Sequence, residues 1–336
     1  MGIVESVLDA YRFKDTIIYK ESSDLQAKYD ALKKLLQEYG DNDELLSELY
    51  TVKNGLAGEN EISYQLKKSN IGMYVLRDIK VEYDDMTAQI DYVVITPVFT
   101  YYIECKNLVG NITVTEKGDF IREFVINGKK IKKGMYSPLR QVEAQREVMR
   151  KIWESKTSKI KKMFASKYFD YYQKTLVVAA NQDTILDTSK APKDIKYKVL
   201  RADALLRQIQ YDLDHRSESD LYSSKKNMCL TAQYYLSLNV KDSINYYDYY
   251  KNKYLKNQDI IKNDDMKEKL INFRKSRAVE LKIPAYYVFT NDELELLIKY
   301  RPKSLDELYN LKILSPVKIK THGKNIIEEI NNINKD

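Results

Sequence analysis

Two short stretches of the sequence carry residue types at a spacing that could do chemistry. One is Gln89-Ile90-Asp91; the other, soon after it, is Tyr101-Tyr102-Ile103-Glu104-Cys105-Lys106. If both are strands, Glu104 and Lys106 project to one face and Cys105 points away, because alternate residues of a strand share a face. Asp91 on the neighbouring strand can join that face. Two carboxylates and an ammonium at the end of a sheet are what metal-assisted phosphodiester hydrolysis requires. Carboxylates are hard oxygen ligands suited to Mg²⁺ or Mn²⁺. The metal lowers the pKa of a bound water and stabilises pentacovalent charge, while the ammonium orients the attacking water or neutralises developing charge. An isolated Glu-x-Lys is an ordinary surface ion pair in many proteins. What singles this one out is its frame, the apolar strand-forming runs Tyr92–Ile95 and Tyr101–Ile103, where a charge needs a partner or a task.

Little else in the chain offers catalytic chemistry. The two histidines, His215 and His322, and the two cysteines, Cys105 and Cys229, make no zinc-ligand spacing and no disulfide framework. No G-x-x-x-x-G-K-[ST] motif occurs, so any motor has to be a separate helicase or ATPase partner. Apolar runs such as Thr175–Ala180 fall far short of the roughly 20 residues of a membrane span. No basic-then-apolar leader precedes the first helices. A reduced, cytoplasmic protein with no membrane association is expected.

The net charge of +7 conceals an asymmetry. Residues 121–170 hold 14 Lys+Arg against 5 Asp+Glu, and residues 266–325 hold 13 against 7, while the rest of the chain is acidic. Clustered basic residues are the footprint of phosphate-backbone contact, although lysine-rich helix surfaces look alike at this level. The 29 tyrosines invite a base-stacking reading. Most of them, Tyr246, Tyr247, Tyr249 and Tyr250 included, sit in Lys/Asn-rich helical text, where biased composition explains them as well.

The elements that must position these residues follow from periodicity. Leu25, Tyr29, Leu32 and Leu36 predict a helix over 22–39 that Gly40 stops. A second helix is expected over Asp43–Val52, then a break at Gly55 and Gly58, then a third helix over Glu59–Lys68. Val75–Val81, Gln89–Thr96, Thr100–Cys105 and Asn111–Thr115 read as strands. Asn127-Gly128 marks a hairpin between Phe120–Ile126 and Lys129–Ile131. Pro138 opens a helix that ends near Trp153. The strands Thr175–Ala180 and Lys196–Leu200 follow, then a helix from Asp203 to Tyr211. Strands with helices before, between and after them make an α/β domain. Beyond it, 214–262 reads as a connecting helical region. Pro284, Pro302 and Pro316 then punctuate a run of short helices, two of them opened by the capping boxes Thr290-x-x-Glu293 and Ser304-x-x-Glu307.

Taken in order, Gly58-Glu59-Asn60-Glu61-Ile62, Gln89-Ile90-Asp91-Tyr92-Val93-Val94-Ile95, Tyr102-Ile103-Glu104-Cys105-Lys106-Asn107, Gly110-Asn111-Ile112 and Ser137-Pro138-Leu139-Arg140-Gln141 resemble the nuclease-related domain. That family resembles the PD-(D/E)xK nucleases. The resemblance implies a restriction-endonuclease-like mixed sheet flanked by helices. It also implies Asp91 and Glu104 as metal ligands, Lys106 as the catalytic lysine, Glu59 as a further acidic ligand with Glu61 as the fallback, and Gln141 as a helix residue facing the site. Read from the residues alone, Gln141 and Gln145 form a polar pair on one side of their helix, able to face either a phosphate or solvent.

Farther on, Leu270-Ile271-Asn272-Phe273-Arg274-Lys275, then Ile283-Pro284-Ala285-Tyr286-Tyr287-Val288-Phe289, then Arg301-Pro302-Lys303-Ser304 and Glu307-Leu308 resemble an HRDC domain, a small all-α bundle. Tyr286, Val288 and Phe289 are expected in its core and the Arg/Lys positions on its nucleic-acid side. The expected map is an N-terminal helical segment (1–43), the nuclease-like α/β domain (44–213), a helical linker (214–265) and the helical bundle (266–336). The expected function is Mg²⁺- or Mn²⁺-dependent hydrolysis of nucleic acid, DNA foremost, with the bundle assisting binding. The alternative is a non-catalytic nucleic-acid-binding or signalling adaptor that keeps the nuclease-like fold.

Overall fold

The computed structural model describes residues 12–40, 42–157, 168–240 and 244–333, and within these leaves aside the side chains of 256–264. Residues 158–167, part of the first basic stretch, lie outside the described residues. The chain divides into two compact units, Met1–Tyr247 and Asp248–Asp336.

The first unit is built on a mixed six-stranded sheet in the order β1-β2-β3-β4-β8-β10. Its strands are β1 (Thr16–Lys20), β2 (Met73–Tyr83), β3 (Met86–Ile95), β4 (Thr100–Lys106), β8 (Gln173–Ala179) and β10 (Val199–Arg201). β2, β3 and β4 form an antiparallel meander, and β1, β8 and β10 each join it in parallel. A smaller sheet, β7-β6-β5-β9, holds β5 (Asn111–Val114), β6 (Phe120–Ile126), β7 (Lys129–Met135) and the short β9 (Leu186–Asp187). The Asn127-Gly128 turn closes the β6–β7 hairpin with both residues at positive φ, as the sequence predicts.

Helices cover both faces of the large sheet, because its central strands are apolar on both sides. On one face, Ile62 and Leu66 of one helix and Leu205 and Ile209 of another seal Val75, Tyr92, Val94, Tyr101 and Ile103. On the other, Val142 and Met149 of a third helix, with Met228, Ala232 and Tyr235 of a fourth, cover Leu76, Val93, Tyr102 and Val177. That fourth helix, Lys225–Leu238, falls in the stretch read as connecting text, yet it carries core of the sheet.

Asp24–Tyr39 forms helix α1, with Ser23 as its N-cap. The two helices expected on either side of Gly55 and Gly58 are one continuous helix, α2 (Asp43–Lys67). Glycine here serves close approach rather than termination. A Cβ on Gly58 would stand 2.4 Å from the Asn107 Cβ and 3.1 Å from the Cys105 Sγ, so only hydrogen lets α2 lie this near the end of β4. The helix read as ending near Trp153 runs over Pro138–Ser155 and is α3, capped by the Ser137 hydroxyl. Leu205–Asp214 is α4 and Lys225–Leu238 is α5.

The second unit is a helical bundle around Leu270, Phe289, Leu294, Leu297, Leu308 and Ile326. Around that core stand, among others, α6 (Lys256–Leu281), α7 (Asn291–Tyr300), α8 (Leu305–Asn310) and α9 (Lys324–Ile333). The Thr290–Glu293 capping box is complete, with Glu293 N–H donating to Thr290 Oγ1 and Thr290 N–H to Glu293 Oε2. The second box is half formed: Glu307 N–H donates to Ser304 Oγ, but Glu307 Oε2 accepts from Lys303 N–H. Val288 and Phe289 are fully buried as expected, but Tyr286 is 59% exposed. Its chain turns through a 3₁₀ segment at Ala285–Tyr287, which stacks Tyr286 on Tyr287 at the surface, ring centroids 4.8 Å apart. No helix among the described residues is long and apolar enough to cross a membrane.

Candidate active site

The site lies where β3 and β4 end their pairing. The last paired residues on that side are Tyr92 and Ile103, so Asp91 and Glu104 stand opposite one another at the next step. Cys105 N–H donates to Asp91 Oδ2 at 2.7 Å and fixes the carboxylate. Asp91 remains partly exposed, and no hydrogen bond to its Oδ1 occurs among the described residues. Glu104 is 2% exposed, and both its oxygens are engaged. Lys106 Nζ donates to Oε1 at 2.5 Å and Gln145 Nε2 to Oε2 at 3.0 Å. Lys106 Nζ also donates to Gln141 Oε1 at 3.1 Å. Gln141 and Gln145 lie one turn apart on α3, so the polar pair faces the site. The alternation read from the sequence thus holds on β4, since Cys105 packs with the opposite core cluster.

Burial pushes the Asp91 carboxyl well above its ordinary range, and Glu104 across the ladder adds to this, while the Cys105 N–H pulls the other way. Two carboxylates facing one another favour either a shared proton or a cation.

Glu59 is buried on α2, but it is turned to other partners. Its Oε2 accepts from Arg77 Nε at 2.6 Å and from Ser23 Oγ at 2.9 Å, and its backbone carbonyl accepts from the Tyr92 hydroxyl at 2.6 Å. Burial raises its pKa, and the Arg77 guanidinium counters this. Glu61 accepts from Gln65 and Gln182 on the outer side of the helix. Among the described residues no three His, Cys, Asp or Glu side chains gather closely enough to hold a metal. The expected three-carboxylate centre is therefore two carboxylates, a lysine and two glutamines, with Glu59 ion-paired alongside.

Asp91 sits at a break in the sheet. On β2, Tyr74 and Leu76 pack on the α3 side, and beyond the break Ile79 and Val81 do. On β3 the residues on that side are Val93 and Ile95, then Ile90 and Ala88. Both strands change alternation at the same rung, between Leu76 and Ile79 and between Val93 and Ile90, while their register is kept. Asp78 sits at this rung with φ +56°, a left-handed conformation that costs a non-glycine residue about 1 kcal/mol or more. The sequence reading missed Arg77, Asp78 and this break. Polar text inside the predicted strand Val75–Val81, the pair Arg77-Asp78, was the available signal.

The nuclease-related domain model matches residues 54–179 and the HRDC domain model matches residues 265–330, in the order expected. The solved structure "D. radiodurans RecQ HRDC domain 3" is 32% identical over 22% of this chain and 97% of its own, with a TM-score of 0.21. None of the curated proteins matches the chain. A nuclease-like α/β domain followed by a helical module of a nucleic-acid-binding kind is the organisation these matches support.

Proposed function

We propose that the protein is a metal-dependent nuclease that hydrolyses phosphodiester bonds of nucleic acid, DNA foremost, with the C-terminal bundle helping to hold the strand. The observation that carries this reading is the face shared by Asp91, Glu104, Lys106 and Gln141 at the end of β3 and β4. Asp91 and Glu104 are the residues that would hold Mg²⁺ or Mn²⁺. The donor set fits: hard oxygens, one of them uncommitted and reachable from solvent, and Mg²⁺ commonly takes one or two protein carboxylates with the rest of its shell from water and phosphate. When bound, the metal supplies Lewis-acid stabilisation of the phosphorane and a more acidic water.

The chain's own groups do the rest. Lys106 is restrained from two sides, by Glu104 and Gln141, so its ammonium is already aimed where negative charge develops. Gln145 fixes the other oxygen of Glu104. Glu59 serves as an anchor, tying α2 to β2 through Arg77 and to β3 through Tyr92. Exposed Lys129, Lys130, Lys132 and Lys133 on β7 offer phosphate contacts on the same unit. In the bundle, the exposed Tyr286–Tyr287 stack is a platform for a base. Any strand separation comes from a separate helicase or ATPase partner.

A non-catalytic nucleic-acid-binding role is the second reading, favoured by the full engagement of both Glu104 oxygens inside the chain. Labelled single-stranded, duplex and branched DNA, with an RNA control, incubated with Mg²⁺, Mn²⁺ or EDTA, separates the two. Cleavage in metal and none in EDTA supports the nuclease. Salt-sensitive, metal-independent binding with every substrate intact supports the second reading.

A further inference from the structure

The N-terminal strand reaches the site indirectly. Lys20, at the end of β1, is half-buried, and its ammonium donates to three backbone carbonyls: Ser22 at 2.8 Å, Arg77 at 2.8 Å and Asp78 at 2.7 Å. All three of its protons are thereby used. Arg77 and Asp78 are the residues at which β2 changes alternation, and Asp78 is the left-handed one. The β1–β2 pairing is itself irregular between Ile18 and Lys20, which brings Lys20 level with this point.

Neighbouring groups complete the hold. Asp78 Oδ2 accepts from Asp24 N–H at 2.6 Å and its Oδ1 from Gln89 Nε2 at 2.7 Å. Ser23 Oγ donates to Glu59. The segment 20–24 therefore grips β2 at the break and, through Glu59, the helix α2, while Asp78 in turn holds β3 through Gln89. By the register kept on either side of the break, Asp91 is the residue of β3 that falls opposite Asp78.

We propose that Lys20 is a positioning residue of the active site: it satisfies the carbonyls exposed by the break in β2 and, through Asp78 and Gln89, steadies β3 at the rung from which Asp91 faces Glu104. The proposal rests on the nuclease reading for its catalytic consequence, but its structural part does not. It also places residues outside the matched stretch 54–179 within the working nuclease unit.

The test is the full-length Lys20→Met variant, with Lys20→Arg beside it as the conservative replacement. The direct readout is hydrogen exchange of the Cys105 amide, the group that donates to Asp91. Lys20→Met is expected to exchange this amide at least tenfold faster while the Tyr101 and Ile103 amides keep wild-type protection. Lys20→Arg is expected to recover most of the protection. In the cleavage assay, kcat is expected to fall at least tenfold with KM for DNA within twofold. Unchanged Cys105 protection in Lys20→Met overturns the proposal, as does a uniform loss across β4, which would mark a general stability role. If Lys20→Met does not fold, Lys20→Gln, which retains two donors, is read the same way. A wild-type chain that cuts nothing contradicts the nuclease reading and leaves the exchange result to decide the role of Lys20.

Discussion

Lys106 Nζ stands 2.5 Å from Glu104 Oε1, and the carboxylate it meets is 2% exposed while the lysine keeps about a quarter of its side chain in solvent. The pair is asymmetric, so its two members differ when replaced. Lys106→Met leaves a buried carboxylate with only Gln145, at a cost of about 2–4 kcal/mol. Glu104→Gln leaves a lysine that can turn to water, at a cost of about 1 kcal/mol. Urea melts of the two variants check the order, and both are expected to lose at least a hundredfold in cleavage rate.

Asp91 is held at the expense of stability. Between the ordinary aspartate pKa near 3.9 and the raised native value, the folded chain binds a proton that the unfolded chain has lost. Stability therefore falls as pH rises through that window. Asp91→Asn lacks this slope. Its melting midpoint in EDTA is expected to exceed the wild type's by about 2 °C or more at pH 8, with the gap narrowing toward pH 4. Adding Mn²⁺ is expected to raise the wild type and leave the variant unmoved.

The glycines of α2 separate helix propensity from close approach. At Gly55 a new Cβ would meet the tip of a side chain, Leu25 Cδ1, at 3.1 Å; at Gly58 it would meet the Asn107 Cβ at 2.4 Å. Gly55→Ala is expected to be neutral or to stabilise by up to about 1 kcal/mol. Gly58→Ala is expected to destabilise by about 2 kcal/mol or more, since α2 must move off β4. Thermal melts of both decide it.

These glycines also mark where sequence reading stopped. The strands were legible because Val, Ile, Tyr and Thr cluster in β2, β3, β4 and β8, and alternation placed Glu104 and Lys106 on one face. A glycine pair inside a helix reads as a stop unless the opposing strand is known, and only Asn107 and Cys105 reveal what Gly58 is for. Glu59 was visible as an acidic residue of the domain, but its partner Arg77 lies on a different element with no spacing to announce it. The break at Asp78 was hidden because a change of alternation within one strand erases the very pattern used to find strands. Tyr286 was expected in the core beside Val288 and Phe289, but the 3₁₀ turn at Ala285–Tyr287 leaves it at the surface.

The exposed Tyr286–Tyr287 stack is a surface feature, so its loss bears on binding and not on folding. Tyr286→Ala with Tyr287→Ala is expected to weaken single-stranded DNA binding by about 1–3 kcal/mol per base no longer stacked, with melting unchanged. The salt dependence of binding keeps its slope, because no phosphate contact is removed. Fluorescence anisotropy over a salt series reads both.

The central claim, that Asp91, Glu104 and Lys106 form a phosphodiester-cleaving site, is tested most directly by single-turnover cleavage of labelled DNA at saturating protein in Mn²⁺. Wild type is expected to cut and to stop on addition of EDTA, while Asp91→Asn and Lys106→Met bind the DNA as wild type and fail to cut it. Cleavage by either variant at the wild-type rate, or a wild type that binds DNA and leaves it intact in every metal, would contradict the account.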